Sequence, residues 1–341
     1  MEKRRVLLIA GGGTLGSYAA EELLRQGCKV DVIALEPLIS YNQDLTYIQA
    51  RVDDALLQGL FAQHHYDAIV DFIHYPDAQA YEARGRLLME NTDHLIFLSS
   101  YRVYADQEHP LRESSPQLFD VCGDEYFLAN EKYAVPKSRI ERFLRASEYK
   151  NWTIVRPMIS FSHFRLDLVT LGAHLLLVRS RKNKKIILPE GARQQTAGLT
   201  WAGNSGRMIA RLALSDKTFC QDYIIGTDEN MTWQQAADIY TELLGSQFVW
   251  VDTQDYADCV HGDNYNSRCI LLHDRVYNRR VDNSKVLAAT GFRREELPSV
   301  RDGLIYELNI LTQRPDLVAR FESMGEAANL RMDEYLASHS L

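Results

Sequence analysis

Five apolar residues, Val6-Leu7-Leu8-Ile9-Ala10, run directly into Gly11-Gly12-Gly13-Thr14-Leu15-Gly16 and then into a helix-forming stretch from Ser17 to Gln26. A buried strand that breaks at glycines and restarts as a helix gathers backbone amides and the positive helix end at one point. A pyrophosphate can sit there. The spacing Gly11-x-Gly13-x-x-Gly16 fits the dinucleotide fingerprint, so Gly11, Gly13, Thr14, Leu15 and Gly16 are expected at a cofactor phosphate. The next strand-like run, Lys29 to Leu35, ends at Glu36, about twenty residues past the glycines. An acid there accepts hydrogen bonds from both ribose hydroxyls and repels a 2′-phosphate, which favours NAD over NADP. The competing reading is an ordinary strand-to-helix turn with glycines for packing alone.

Apolar runs alternate with helical patterns through the first half. Strands are expected at Val6 to Ala10, Val30 to Leu35, Thr46 to Gln49, Ala68 to Ile73, His94 to Ser99 and Thr153 to Arg156. Helices are expected at Tyr18 to Gln26, Ala55 to Gln63, Ala78 to Glu90 and Ser138 to Ser147. This alternation points to an α/β fold, a doubly wound parallel Rossmann sheet. After Pro157 the rhythm is lost. Arg165 to Arg181 reads as one helix, Lys184 to Leu188 as a strand, Asn204 to Leu214 as a helix and Tyr223 to Ile225 as a strand. Thr232 to Leu244 reads as a helix with Thr232 as N-cap and Gly245 as its stop. The expected organisation is a cofactor-binding domain over residues 1–157 and a smaller, irregular α+β substrate lobe over 158–341, some of whose segments return to the first domain.

At 341 residues with 46% hydrophobic content, the chain can bury a large core. Its net charge of −8 offers no general basic field to nucleic acid, so an anionic ligand needs local positive groups. The basic run Arg179 to Lys185 reads as a polyanion patch or, better, as a solvated loop at a helix end. Five cysteines without a C-x-x-C pair suit reduced thiols and a cytoplasmic setting. Cys259, His261, Cys269 and His273 match no zinc spacing, so no metal is expected. The apolar stretch after Met1 to Arg5 stops at the glycines, which argues against a signal peptide, and Leu166 to Val178 is too short to span a bilayer. No membrane association is expected.

A second cluster carries chemistry. Ser100 follows the apolar strand ending at Leu98, at the carboxyl edge where open α/β sheets bind ligands. Tyr133 and Lys137 are one helical turn apart, so a helix starting near Tyr133 places them on one face. A fixed ammonium beside a phenol favours the phenolate and makes Tyr133 a candidate base, with Ser100 holding the reacting oxygen. The bland reading is an exposed Tyr and Lys on a helix, with Ser100 as a cap. Pro136 is tolerated only in a first turn, which also puts the helix start close to Tyr133. His74, after the Ala68 to Ile73 run, reads as a structural histidine near the cofactor edge.

From Val6 to near Leu308 the chain resembles the extended short-chain dehydrogenase/reductase superfamily, specifically the NAD-dependent epimerase/dehydratase family. The resemblance rests on the glycine turn, Ser99-Ser100-x-x-Val103-Tyr104, Pro110-Leu111-Arg112-Glu113, Tyr133-x-x-x-Lys137-x-x-x-Glu141 and Val155-Arg156-Pro157. Tyr223-Ile224-Ile225-Gly226, Asp282-x-Ser284-Lys285 and Gly291-Phe292 extend it. It implies Tyr133 as catalytic base, Lys137 on the nicotinamide ribose, Ser100 on the substrate oxygen, Glu36 on the adenosine ribose and Asp53 or Asp54 near adenine. It also implies a sugar-nucleotide substrate, oxidised by hydride transfer to NAD and reduced again, and a homodimer built on the helices at Ala78 to Glu90 and Ser138 to Ser147.

Departures from the family pattern narrow the expectation. Tyr101 and Arg102 stand where the family's 4,6-dehydratases carry the Asp and Glu that eliminate water, which argues for an epimerase. The usual substrate arginine is missing near Gln195 and Thr196, and the usual aspartate near Ala202 and Gly203. Arg193 is the candidate replacement on the substrate diphosphate, against the reading of a solvated surface arginine. Tyr66-Asp67-Ala68-Ile69-Val70-Asp71-Phe72 resembles atypical branches of the superfamily that include RNA-binding proteins without a working site. The rival function is therefore a retired binding or regulatory protein.

Overall fold

A computed structural model describes residues 3–341. Six strands of the first half, β1 (Arg5–Ile9), β2 (Lys29–Ala34), β3 (Leu45–Gln49), β4 (Ala68–Asp71), β5 (Leu95–Leu98) and β6 (Trp152–Pro157), join the strand Gln221–Ile225 in one sheet. Its order is Gln221–Ile225, β6, β5, β4, β1, β2, β3, and every neighbouring pair is parallel. Strand order reverses at β1, which pairs with β2 on one side and β4 on the other. A crevice opens at such a switch point, at the carboxyl ends of the strands.

Burial explains why β1 reads as an unbroken apolar run. Val6 and Leu8 face one core, with Ala19, Leu23, Met208 and Ile209, while Leu7 and Ile9 face the other, with Leu57, Tyr81, Ile140 and Leu144. Helices cover both faces, as a parallel sheet requires. These include α1 (Thr14–Arg25), α2 (Asp54–Gln63), α3 (Ala78–Glu90) and the helix Ala134–Ala146.

The second half interleaves two jobs. Helix Ala202–Ala213 packs on α1, and Gln221–Ile225 extends the sheet beside β6. Helix Trp233–Leu244 is capped by Thr232 and stopped by Gly245 at φ +67°, as its sequence foretold, and Gln235 completes a capping box with Thr232. Together with the parallel pair Ile186–Pro189 and Phe248–Val251 it surrounds a separate core that includes Leu168, Leu171, Leu188 and Tyr240.

One expected helix is wrong in its first half. Arg165 to Arg181 does not form a single helix: Asp167–Leu168 and Leu171–Gly172 pair antiparallel, and only Ala173–Arg181 is helical. Val169 turns the chain at φ +56°, and Leu166, Leu168 and Leu171 are all buried, so core packing overrides helical periodicity. The basic run is partly structural as well. Arg179 is buried, donating to the Lys185 carbonyl (2.8 Å) and to Asp333 (2.9 Å). Among the described residues no helix is long and apolar enough to cross a membrane.

Candidate active site

The glycine turn sits where β1 meets α1, and its glycines do different work. A Cβ on Gly16 would overlap the Gly11 backbone, and one on Gly11 would press on the Leu8 side chain, so these two let helix and strand touch. A Cβ on Gly13 would meet nothing within 4 Å. Gly13 is the N-cap of α1 and supplies no side-chain cap, so the first helical amides have no side-chain partner there. Gly13, Thr14, Leu15 and Gly16 all line a cavity of about 260 Å³. Ala10 turns the chain into this cavity at φ +56°, a strained conformation for a residue with a Cβ. Glu36 stands beside the turn, its carboxylate 3.8 Å from the position of a Cβ on Gly12. Because Gly13 has space around it and ordinary φ, Gly13→Ala is expected to leave Tm unchanged. It should weaken NAD binding about tenfold or more, as titration by calorimetry would show, because the methyl takes the space of an approaching phosphate.

Ser100 and Tyr133 line the same cavity. Helix Ala134–Ala146 begins immediately after Tyr133, with Pro136 in its first turn and Lys137 one turn on. Glu131 fixes that start by accepting from the backbone N–H of Tyr133 and of Val135, both at 2.9 Å. Lys137 donates from Nζ to the Leu98 carbonyl at the end of β5 (2.5 Å) and lies 5.2 Å from the centre of the Tyr133 ring. Burial pushes the Tyr133 phenol up, but Lys137, Arg102 and Arg165, with a hydrogen bond to Ser100, outweigh it and bring it below the ordinary value of 10.0. Burial likewise lowers Lys137, against the pull of Tyr133, Asp71 and Glu141. His74 packs against Tyr133, ring centres 5.1 Å apart.

Glu141, the third member of the Tyr-Lys-Glu spacing, faces away from this cavity. Its carboxylate grips Arg156 of β6 at 2.8 and 2.6 Å and accepts from Ser99 (2.5 Å) and Gln117 (2.8 Å). Burial raises its carboxyl, and Arg156 with these donors overrides that and holds it below the usual carboxylate range. Arg156 also pairs with Asp222 at 2.9 Å. The network ties helix Ala134–Ala146 to the sheet.

Beyond Tyr133 the cavity is walled by three arginines, Arg102, Arg165 and Arg275. Arg102 lies 4.5 Å from the centre of the Tyr133 ring. Arg275 reaches the site from a π-helical turn, Leu271–Arg275, and donates to the Val169 carbonyl (2.6 Å).

A model of the NAD dependent epimerase/dehydratase family matches residues 7–188, more than half of the chain. The chain belongs to this family. Among curated proteins no sequence relative matches it. Solved structures share the family's architecture at low identity. An epimerase of Methanothermobacter thermautotrophicus is 14% identical with a TM-score of 0.68, covering 94% of this chain and 95% of its own. A dTDP-glucose 4,6-dehydratase of Bacillus anthracis in complex with NAD is 12% identical with a TM-score of 0.67, over 92% and 98%. UDP-glucose 4-epimerase of Thermotoga maritima, solved with UDP-glucose, is 15% identical with a TM-score of 0.64, over 91% and 99%.

Of the expected site residues of this epimerase/dehydratase family member, Gly11, Glu36 and Lys137 do not line the cavity, and Asp53 and Arg193 make other contacts. Asp53 is the N-cap of α2, accepting from Leu56 N–H at 2.8 Å. The neighbouring cavity of about 380 Å³, beside Ala10 and Leu35, is lined by Ala50, Arg51 and Val52 and not by Asp53. Arg193 is outside the cavity that holds Tyr133; its guanidinium lies 5.4 Å from the Trp250 ring centre and donates to Gln234 (2.8 Å). Arg165 and Arg275 escaped the sequence because neither lies in a motif. Arg102 was visible only as a misfit in the Ser-Ser-x-x-Val-Tyr stretch.

Proposed function

We propose that this chain is an NAD-dependent sugar-nucleotide epimerase, or a related oxidoreductase, that transfers hydride reversibly at a sugar hydroxyl with Tyr133 as proton acceptor. The observation that carries this reading is the convergence of Ser100, Tyr133 and the uncapped start of α1 on one cavity, with Lys137 behind the phenol. The open side of Gly13 and the free helical amides fit a pyrophosphate and Glu36, beside the turn, the adenosine ribose, while Lys137 is placed on the nicotinamide ribose by the family resemblance. When bound, NAD supplies the hydride acceptor.

The chain's own residues handle the proton. Ser100 orients the substrate hydroxyl toward Tyr133, and the phenolate, favoured by Lys137, takes the hydroxyl proton as the carbonyl forms. On the return step the same phenol gives the proton back. Among the described residues no carboxylate side chain lines the cavity, so no acid–base pair stands ready to eliminate water, which favours epimerisation over 4,6-dehydration. Helices α3 and Ala134–Ala146 pack side by side, with Phe143 against Tyr81, and form the face through which we place a homodimer in the cytoplasm.

Mass spectrometry of ligands released from the natively purified protein tests the reading. NAD together with a nucleotide sugar is the expected pair. A protein that neither retains nor binds NAD would refute it.

A further inference from the structure

The wall beyond Tyr133 has more positive charge than its own acids can answer. Arg102, Arg165 and Arg275 line the cavity, and the carboxylates that serve them sit behind it. Asp274 pairs with Arg275 and, at 2.8 Å, with Arg279, while Asp167 holds Arg165 at 2.5 Å. Glu131 Oε2 accepts two backbone N–H groups, and its Oε1 meets a terminal nitrogen of Arg102 only at 3.5 Å. Four guanidinium groups, of Arg102, Arg165, Arg275 and Arg279, therefore share three carboxylates, of Asp167, Asp274 and Glu131. An arginine cannot shed its charge by losing a proton.

The surplus is visible at Arg102. Its residue is 9% exposed, and its Nε has no hydrogen-bond partner. An Asp274 oxygen lies 3.8 Å from that Nε, beyond hydrogen-bond distance, and is engaged by Arg275 and by the Tyr101 hydroxyl. A charged donor buried without a partner is unfavourable, so a bound ligand is expected to supply the acceptor. Arg102 also faces the Tyr133 ring, a contact that still leaves its Nε without an acceptor. Because Arg102 lies 4.5 Å from the Tyr133 ring centre, the anion it holds is close to the carbon whose hydroxyl reaches Tyr133.

We propose that the substrate sugar bears a carboxylate on the carbon next to the one oxidised, as in a uronic acid, and that Arg102, backed by Arg275, recognises it. This rests on the oxidoreductase reading above. A carboxylate matches the planar fork of a guanidinium, whereas the hydroxymethyl group of a neutral hexose leaves the charge unanswered. Arg165, whose side chain is 55% exposed, remains for a phosphate of the nucleotide.

Calorimetric titration of the dinucleotide-loaded protein with glucuronic acid 1-phosphate and with glucose 1-phosphate tests this without assuming the nucleotide. Wild-type protein is expected to bind the acid about 10- to 100-fold more tightly. Arg102→Leu should abolish that preference while bound NAD, measured by mass spectrometry on the same sample, is retained, and Arg102→Lys should restore part of it. Equal affinity for the two probes, or binding of neither, by a wild-type protein that holds NAD overturns the carboxylate assignment and leaves the oxidoreductase reading standing. The wild-type comparison decides even if a variant fails to fold. A protein that holds no NAD, as purified or after addition, overturns both.

Discussion

Tyr133→Phe lowers kcat by about 10²- to 10⁴-fold, the range that general acid–base catalysis supplies, while Tm and bound NAD stay near wild type. The substitution removes one hydroxyl and keeps the ring, so the contacts of Tyr133 with His74 and Arg102 survive. What is lost is the hydroxyl that the proposed mechanism uses to take the proton beside Ser100. In the wild-type enzyme kcat/KM should rise with pH as the phenol ionises and then level off, with its midpoint below 10 because the Tyr133 phenol is lowered. Lys137→Met removes the strongest of the cations that lower it, so the rise should move to higher pH. A Tyr133→Phe enzyme with wild-type kcat would mean that another group accepts the proton.

Glu141→Ala is expected to cost about 3–5 kcal/mol of stability, read from urea unfolding, because it leaves the charge of Arg156 buried without its two-oxygen carboxylate partner. Arg156 is 0% and Glu141 1% exposed, so water cannot replace the lost carboxylate. Ser99 and Gln117 lose an acceptor in the same change. The pH dependence follows the same pair. Glu141 titrates lower folded than unfolded, so its contribution is complete above the unfolded value of about 4.3 and fades as pH falls through the lowered folded value. In Glu141→Ala this part of the acid sensitivity should disappear. A loss under about 1 kcal/mol would show that Asp222, the Tyr104 hydroxyl and the Glu113 carbonyl satisfy Arg156 without it.

Local chemistry was legible where it repeats a short-range rule. The strand–glycine–helix turn, the capped helix from Thr232 to Gly245 and the closeness of Tyr133 to Lys137 each depend on residues a few positions apart, and each is present. Pro136 fixed the helix start correctly for the same reason, since proline fits only the first turn. Long-range placement was not legible. Arg165 to Arg181 kept a helical pattern, yet the core drew Leu168 and Leu171 into a hairpin. Asp53 has the acidity of an adenine contact, but capping of α2 claims its side chain. Arg193 lies close in sequence to the position of a missing arginine, while the arginines that line the cavity come from residues 102, 165 and 275, which only folding brings together. Glu141 shows the converse. Its spacing marks it with Tyr133 and Lys137, and its work is to hold the sheet to the helix.

The claim on which the rest depends is that cations around Tyr133 make its phenol acidic. Ultraviolet difference titration of wild type against Tyr133→Phe isolates that single phenol among the 18 tyrosines. A one-tyrosine ionisation below 10 is expected in the difference, shifted upward in Lys137→Met. A difference that shows no ionisation until pH 10 or above would contradict it.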